Sequence, residues 1–503
     1  MNYPFWDVDI GYGWLMATIA VFHVFISHFA IGGGLYLVIT ETLARKAGDT
    51  IRLAYLEKVS RFFVLTTLVL GALTGVGIWF IIGLLNPAAT EALIHHFVWA
   101  WATEWTFFII EIAAALIYLY SWKTMSAKNH LVIGWIYFIA AWLSLFVING
   151  IISFMLTPGD WLTTGNVWDG LFNPTFWSSL VLRTGVCIML AGVFTMMTAT
   201  KMVEEKSRGS LIRYNAVWGI VGLAITLACM PWFKSSIPQE IITNINNAMP
   251  TVGHFWQATY WWAYVLGGLI IIFGFILPKK TPLIVTILIM IIGLVWFGQF
   301  EFFREAARKP YAIYGYMYGN GIDLSKADSY AQAGLLPSMA FRTGDDGADL
   351  FRHYCRSCHT VDGYKPLNKT FDGTDQEFIK QMTIGMIAMR GNMPPWLGTE
   401  DEADMLAAHL YAQVDQRPFE QVYPLTGVEL GKKVYEIRCG RCHVLGGFND
   451  KTASLAGMER TDYEDIIESA GDFADEMPDF TGNDTEREAL IQFLLTLKQP
   501  EVK

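Results

Sequence analysis

Eight runs of apolar residues occupy the first 310 positions, each separated from the next by a short polar gap. Their cores fall near 14–42, 62–86, 97–122, 131–156, 178–200, 214–233, 255–277 and 283–303. About 20 consecutive apolar residues suffice to cross a bilayer as a helix, so the pattern predicts eight membrane spans. Beyond residue 310 such runs stop. Apolar residues then recur at helical spacing within polar sequence, as at 402–413 and 486–497, which predicts a soluble helical tail.

Composition and charge sharpen this division. Apolar residues make up 53% of the chain and aromatics 15%, as suits a membrane protein. The loops after the first, third, fifth and seventh spans hold 13 Lys and Arg, and the three loops on the other side hold only Lys234. Basic loops stay on the cytoplasmic side, so both termini are expected on the outer face. Residues 344–503 carry 16 Lys and Arg against 29 Asp and Glu. An acidic tail argues against nucleic acid and for a basic or neutral partner. Met1 to Asp9 has no basic run, so no cleavable leader is expected.

The tail holds four of the six cysteines, in Cys355-Arg-Ser-Cys358-His359 and Cys439-Gly-Arg-Cys442-His443. Two thiols at this spacing bond the vinyl groups of a porphyrin while the adjacent His reaches the iron, the attachment pattern of c-type haem. A second axial ligand is available in each copy. Met393 and Met477 each lie 34 residues after their His, and the unit repeats with an offset of 84: Gly347 matches Gly431, Phe351 matches Tyr435, Gly398 matches Gly482 and Leu410 matches Leu494. This resembles tandem class I cytochromes c and implies two covalent haems c with His/Met ligation. His353 and His409 lack motif support and are expected at the surface or in packing roles. Cys187 and Cys229 lie in apolar runs and read as inert buried residues.

Polar residues inside spans are costly and mark interior sites. Here they are His23, His28, Glu41, Glu104, Glu111, Arg183, Glu301, Arg304 and Glu305. The paired, widely spaced histidines of a four-helix b-type cytochrome are missing. The run from Phe22-His23-Val24 through Gly32-Gly33-Gly34 to Glu41-Thr42 resembles instead the first helix of the cytochrome bd oxidase large subunit. Glu104 and Glu111 are similar to that family's paired glutamates, and Glu305-Ala-Ala-Arg308-Lys-Pro310-Tyr311 to its Glu-x-x-Arg-x-Pro-Trp signature.

The resemblance implies that His23 ligates a membrane haem b or d and that Glu305 serves the same site as ligand or neighbour. It further implies that Arg308 contacts haem propionates, that Glu104 and Glu111 supply protons, and that a small-subunit-like second membrane subunit is present. His28 could ligate a further haem, and Arg183, deep in its span, should pair with a carboxylate or a propionate. His95, His96 and His254 are candidates for a relocated low-spin haem, and His130 reads as a solvated boundary residue. The Trp and Tyr clusters at 96–105 and 256–264 read as interfacial belts.

The departures from that family matter as much. Glu104 and Glu111 are seven apart where the family has eight. Arg183 stands where the family has a His ligand for its low-spin haem, its Met partner is missing near Tyr264, and the quinol-binding loop is reduced to 234–254. Electrons are therefore expected to enter through the c-type haems, from a soluble c-type cytochrome or another respiratory complex. The expected architecture is all-α: a membrane domain at 1–310, a linker at 311–343, and cytochrome c domains at 344–422 and 423–503. The expected activity is that of a terminal oxidase reducing dioxygen in a bacterial inner membrane, with the dihaem tail outside. The alternatives are a non-catalytic electron-transfer subunit or a reductase of another oxidant such as nitric oxide.

Overall fold

The computed structural model describes residues 6, 8–389 and 391–499. All eight predicted spans are helices: α1 (Tyr12–Ala47), α2 (Thr50–Leu85), α3 (Val98–Tyr120), α4 (Ala127–Phe154), α5 (Phe176–Met202), α6 (Glu205–Ser235), α7 (Pro250–Ile271) and α8 (Leu283–Ala307). At 36 residues each, α1 and α2 outrun their apolar cores. At 1.5 Å per residue each is about 54 Å long, against a hydrocarbon layer of about 30 Å. Their turn is tight because Gly48 takes a left-handed conformation and the Asp49 carboxylate accepts the Arg52 N–H.

Helix α5 is the centre of the bundle, with 78% of its apolar window buried. Small residues let its neighbours approach: a methyl group on Gly192 would lie 2.2 Å from the Gly219 nitrogen of α6, and one on Gly32 of α1 would lie 1.8 Å from the Cys187 carbonyl. Cys187 and Cys229 are buried free thiols, as expected.

One expectation fails in an instructive way. His130 is not a solvated boundary residue but wholly buried, as is Glu41. The Glu41 carboxylate accepts from His130 Nδ1 (2.9 Å), Tyr118 Oη (2.7 Å) and Arg45 Nε (2.6 Å), while His130 Nε2 lies 3.0 Å from the Tyr118 carbonyl. Both ring nitrogens lie within hydrogen-bond distance of an oxygen. The cluster ties α1, α3 and α4 together at the end of the bundle that carries the basic loops. Proximity to a helix start made His130 look solvated, whereas a distant carboxylate decides its place.

The segment 311–343 is more than a linker. Within the all-α architecture it holds a short hairpin of β1 (Tyr311–Ile313) and β2 (Met317–Tyr318). Ala312, Ile313 and Met317 join a core with Phe97, Phe154 and Trp161 at one end of the bundle, and Asn86 Nδ2 donates to the Gly319 carbonyl at 2.9 Å. The rest of the segment enters the core of the first soluble domain, where Glu402 accepts the N–H groups of Leu335 and Leu336 at 2.9 and 2.8 Å. Phe419 likewise belongs to the second soluble core rather than the first.

The two soluble domains repeat one plan. The first has α9 (Asp346–Leu350) running into a π turn (Phe351–Cys355), then α10 (Gln376–Ile384) and α11 (Glu400–Tyr411). The second has α12 (Gly427–Val434), a π turn (Tyr435–Cys439), α13 (Arg460–Glu468) and α14 (Asp484–Leu494). Capping boxes start α11 at Thr399/Glu402 and α14 at Asn483/Glu486. First and last helices cross at Gly347 and Gly431, where a methyl group would meet the Met405 carbonyl at 2.7 Å or the Ala489 carbonyl at 1.8 Å.

Removing His130 would leave Glu41 buried with one partner fewer. Breaking a buried pair from one side costs about 3–5 kcal/mol. We expect His130→Leu to lose stability on that scale in detergent unfolding, and Glu41→Leu/His130→Leu to recover part of it. A His130→Leu protein as stable as the parent would refute the ionic role of the cluster.

Candidate functional site

Each Cys-x-x-Cys-His group begins where its π turn ends. The N–H groups of Cys358 and His359 donate to the Cys355 carbonyl at 3.1 and 2.9 Å, and those of Cys442 and His443 to the Cys439 carbonyl at the same distances. One turn of backbone thus carries both sulfurs and the imidazole. His359 Nδ1 donates to the Lys365 carbonyl and His443 Nδ1 to the Asn449 carbonyl, both at 3.2 Å. Each Nε2 is thereby left as the basic nitrogen, the arrangement that orients a metal-ligating histidine. Burial lowers the basicity of both imidazoles, which favours the neutral form that binds iron.

The residues whose carbonyls accept repeat too. Lys365 and Asn449 hold left-handed backbone at φ 49° and 48°, uncommon for residues other than glycine. They are 84 apart, so the offset could have found them, although nothing in their side chains announces the role. Burial holds the Cys355 and Cys439 thiols up at about 12. Met393 is half-buried against the core of the first domain, and Met477 is half-buried in the second. His409 packs near Phe351 with its Nε2 3.0 Å from Gln413 Nε2, in keeping with a packing role.

A single cavity of about 1400 Å³ extends from the first of these sites into the membrane bundle. It exceeds the roughly 300–1,000 Å³ of ordinary ligand pockets. At one end it is lined by Cys355, Cys358, His359 and Met393, and within the bundle by His23, Glu104, Glu111, Arg183, Glu301 and Glu305. The seven-residue spacing therefore still places Glu104 and Glu111 on the wall of one cavity, and Glu104 accepts from Ser144 Oγ at 2.7 Å.

His23 projects into this cavity from α1. Thr74 Oγ1 donates to the Leu70 carbonyl at 2.5 Å, so its oxygen accepts from His23 Nδ1 at 3.0 Å. Nε2 remains as the basic nitrogen. A methyl group on Gly75 would come within 3.2 Å of the ring, so glycine there makes room for the imidazole. The donor set fits a haem iron.

His28 is different. Its Nδ1 donates to the Val24 carbonyl at 2.8 Å, and its Nε2 lies 3.3 Å from Arg183 Nη1, where it can only accept. Both of its nitrogens are engaged in these contacts. Arg183 meets a carboxylate, with Nη2 2.8 Å from Glu301 Oε1, and Arg304 Nε lies 3.2 Å from Glu301 Oε2. Glu301 was visible as an intramembrane acid, but its role between two arginines was not. Glu305 is paired with Arg308 through Nη2 and through Nε at 3.1 Å, as their shared helical face predicts.

His95 and His254 are exposed, and His96 meets Trp161 edge to face at 4.8 Å between ring centres, with Nε2 3.3 Å from Tyr316 Oη. None of these three lines the cavity. In the loop at 234–254 a ten-residue helix (Gln239–Ala248) buries Ile241 and Ile245.

Residues 13–244 match the family profile of cytochrome bd terminal oxidase subunit I, and 342–410 and 427–494 each match that of cytochrome c oxidase, cbb3-type, subunit III. The chain thus joins a region similar to bd oxidase subunit I to two successive regions similar to a cytochrome c subunit. The fold agrees with the bd oxidase from Geobacillus thermodenitrificans, with a TM-score of 0.55 at 14% identity over 60% of this chain and 88% of that one. No curated protein sequence matches. The family matches imply haem, with c-type haem in the two cytochrome c domains.

The Arg183–Glu301 contact in the membrane bundle yields a double-mutant cycle. Arg183→Ala should destabilise by about 3–5 kcal/mol, because it leaves Glu301 with Arg304 alone. Arg183→Ala/Glu301→Ala should cost clearly less than the sum of the single changes. Additive losses would show that the pair carries no interaction.

Proposed function

We propose that this protein is a membrane oxidoreductase that takes up electrons at two c-type haems and delivers them to haem in the bundle, where dioxygen is reduced. The observation that carries this reading is the shared cavity, which has the Cys355–His359–Met393 site at one end and His23 in the bundle. The excess of basic residues in the loops after the odd-numbered spans supports placing the soluble domains outside a bacterial inner membrane.

When bound, haem would supply one-electron transfer and a position for the oxidant. His359 with Met393, and His443 with Met477, would be the axial pairs of the soluble domains. His23 would offer Nε2 to the membrane iron. Glu305, partly neutralised by Arg308, would sit beside it as ligand or as a neighbour to its edge.

Reduction of dioxygen consumes protons, and the carboxylates nearest the cavity are suited to hold them. Glu104 with Ser144, and Glu111 two turns along α3, form a line of acidic groups spaced by about 10 Å of helix rise. Arg183 and Glu301 would act as positioning residues that match each other's charge. A second membrane subunit fits the exposed apolar face of α2, where Leu73, Val76 and Phe80 are 66%, 69% and 59% accessible. A c-type cytochrome or a neighbouring respiratory complex would be the donor, since the bundle has only a short helix in place of a quinol-binding loop.

The test is haem counting on the purified complex. We expect covalent haem in both soluble domains and non-covalent haem in addition. His23→Ala should lose non-covalent haem while retaining covalent haem, and His28→Gln should retain both. Oxygen uptake should follow addition of reduced cytochrome c and should not follow quinol. A protein holding covalent haem alone would be an electron-transfer subunit, and the oxidase reading would fail. Uptake of nitric oxide but not oxygen would redirect the substrate.

A further inference from the structure

The two cytochrome c domains are copies, so each position in one has a counterpart 84 residues away, and the copies differ most tellingly in the loops that carry the methionines. In the first copy residues 388–395 read Ala-Met-Arg-Gly-Asn-Met-Pro-Pro, with no acid. Met389, Asn392, Met393 and Pro394 face the cavity that leads into the membrane bundle. In the second copy residues 472–479 read Asp-Phe-Ala-Asp-Glu-Met-Pro-Asp. Asp472, Asp475, Glu476 and Asp479 are all exposed, and among the described residues none of them makes an ion pair.

The surroundings extend this contrast. Between Arg460 and Arg487 the chain has ten acids and no base. At the middle of the acidic loop Phe473 is 61% exposed, and Ile384 and Ile387 of the first copy add apolar surface at 38% and 44%. These belong to neighbouring segments, because the Glu476 carbonyl lies against Gly385, only 2.4 Å from where a methyl group on it would stand. The loop backbone is held in place, with the Asp479 N–H donating to Gln381 Oε1 at 2.8 Å and the Met477 N–H to the Ala474 carbonyl at 2.9 Å. A fixed backbone thus presents four carboxylates without an ion pair among the described residues, and an aromatic ring, to solvent beside Met477.

We propose that the Met477 loop is the docking surface for a small basic electron-carrier protein with cationic side chains around its redox centre. The proposal rests on the direction of electron flow argued above and adds where the electron enters and what kind of protein brings it. An apolar centre ringed by charge is the anatomy of a contact that forms quickly and releases quickly. Complementary fields raise the encounter rate by about tenfold to a thousandfold at low salt. One electron leaves the reduced carrier at each encounter and passes to the redox group of the second copy. The carrier departs oxidised, and no proton or covalent bond changes hands. The acid-free loop of the first copy then serves the opposite end of the relay, turned toward the membrane cavity.

The experiment uses the whole purified complex and a basic mitochondrial-type cytochrome c as probe. Stopped-flow absorbance gives the rate at which the reduced probe reduces the complex, and calorimetry gives the binding of the oxidised probe. Asp472→Lys/Asp475→Lys/Glu476→Lys should lower the second-order rate by about tenfold or more at low ionic strength, flatten or invert its salt dependence, and weaken binding in parallel. Phe473→Ala should slow the reaction and leave the salt dependence intact. Reduction by a small phenylenediamine should be unchanged in both, which also reports that the variants are folded. Reversal of Glu429 and Glu436, on and just after α12, serves as the control. Equal rates in the triple variant and the parent, or an equal loss in the control, would overturn the proposal. So would a parent that the phenylenediamine reduces and the basic probe does not. If the probe reduces the parent quickly but no oxidant is consumed, docking stands and the oxidase reading fails.

Discussion

A charge inside an apolar bundle has to find its counter-charge there, and that requirement organises the membrane half of this protein. Glu301 lies between Arg183 on α5 and Arg304 one turn along α8, and Glu305 lies between Arg304 and Arg308. The alternation of sign means that no member faces hydrocarbon alone, and the line follows the wall of the cavity. Arg183 also fixes the state of His28, whose Nε2 can only accept from a guanidinium that never loses its proton. At the other end of the bundle Glu41 solves the same problem with His130, Arg45 and Tyr118. Two ionic clusters thus pin the bundle at different depths, and the polar groups left over, His23, Glu104 and Glu111, face the cavity.

The soluble half is organised by duplication instead. The cysteine turns, the carbonyls that fix each His, the capping boxes and the helix-crossing glycines recur at one offset. What binds the group is therefore preserved in both copies, while what faces outward has diverged. Arg438 shows how the copies were joined: it pairs with Glu486 of its own domain at 2.7 Å and reaches Asp375 of the other at 3.6 Å, with its guanidinium 4.9 Å from the Phe378 ring.

Periodic and covalent features were legible from sequence, and pairings across long separations were not. Eight spans follow from run length alone, and both attachment sites follow from Cys-x-x-Cys-His with a Met at constant distance. The partners of Arg183 and His130 lie 118 and 89 residues away, and no local pattern points to them. Arg183 had been expected to meet a carboxylate or a propionate because its depth demands an anion. His130 was misread because sequence position suggested an interface where α3 and α1 in fact enclose it. The segment 311–343 looked like a linker since its apolar residues are scattered. They become coherent only when the bundle end and the first soluble domain are both present to receive them.

That last point bears on how electrons would cross between the halves. A flexible tether would let the first cytochrome domain sample many orientations, and transfer would wait for a productive one. Here the connecting hairpin is seated on the bundle, Asn320 Nδ2 reaches the Tyr354 carbonyl at 3.4 Å, and Arg356 lies 3.4 Å from Asp9 near the start of the chain. Tyr354 directly precedes Cys355, and Arg356 lies between the two cysteines. The contacts that hold the domain down are thus made by the attachment turn itself. An attachment site fixed by its own neighbours to the mouth of the membrane cavity suits a permanent internal step, and leaves the second copy free to serve partners that come and go.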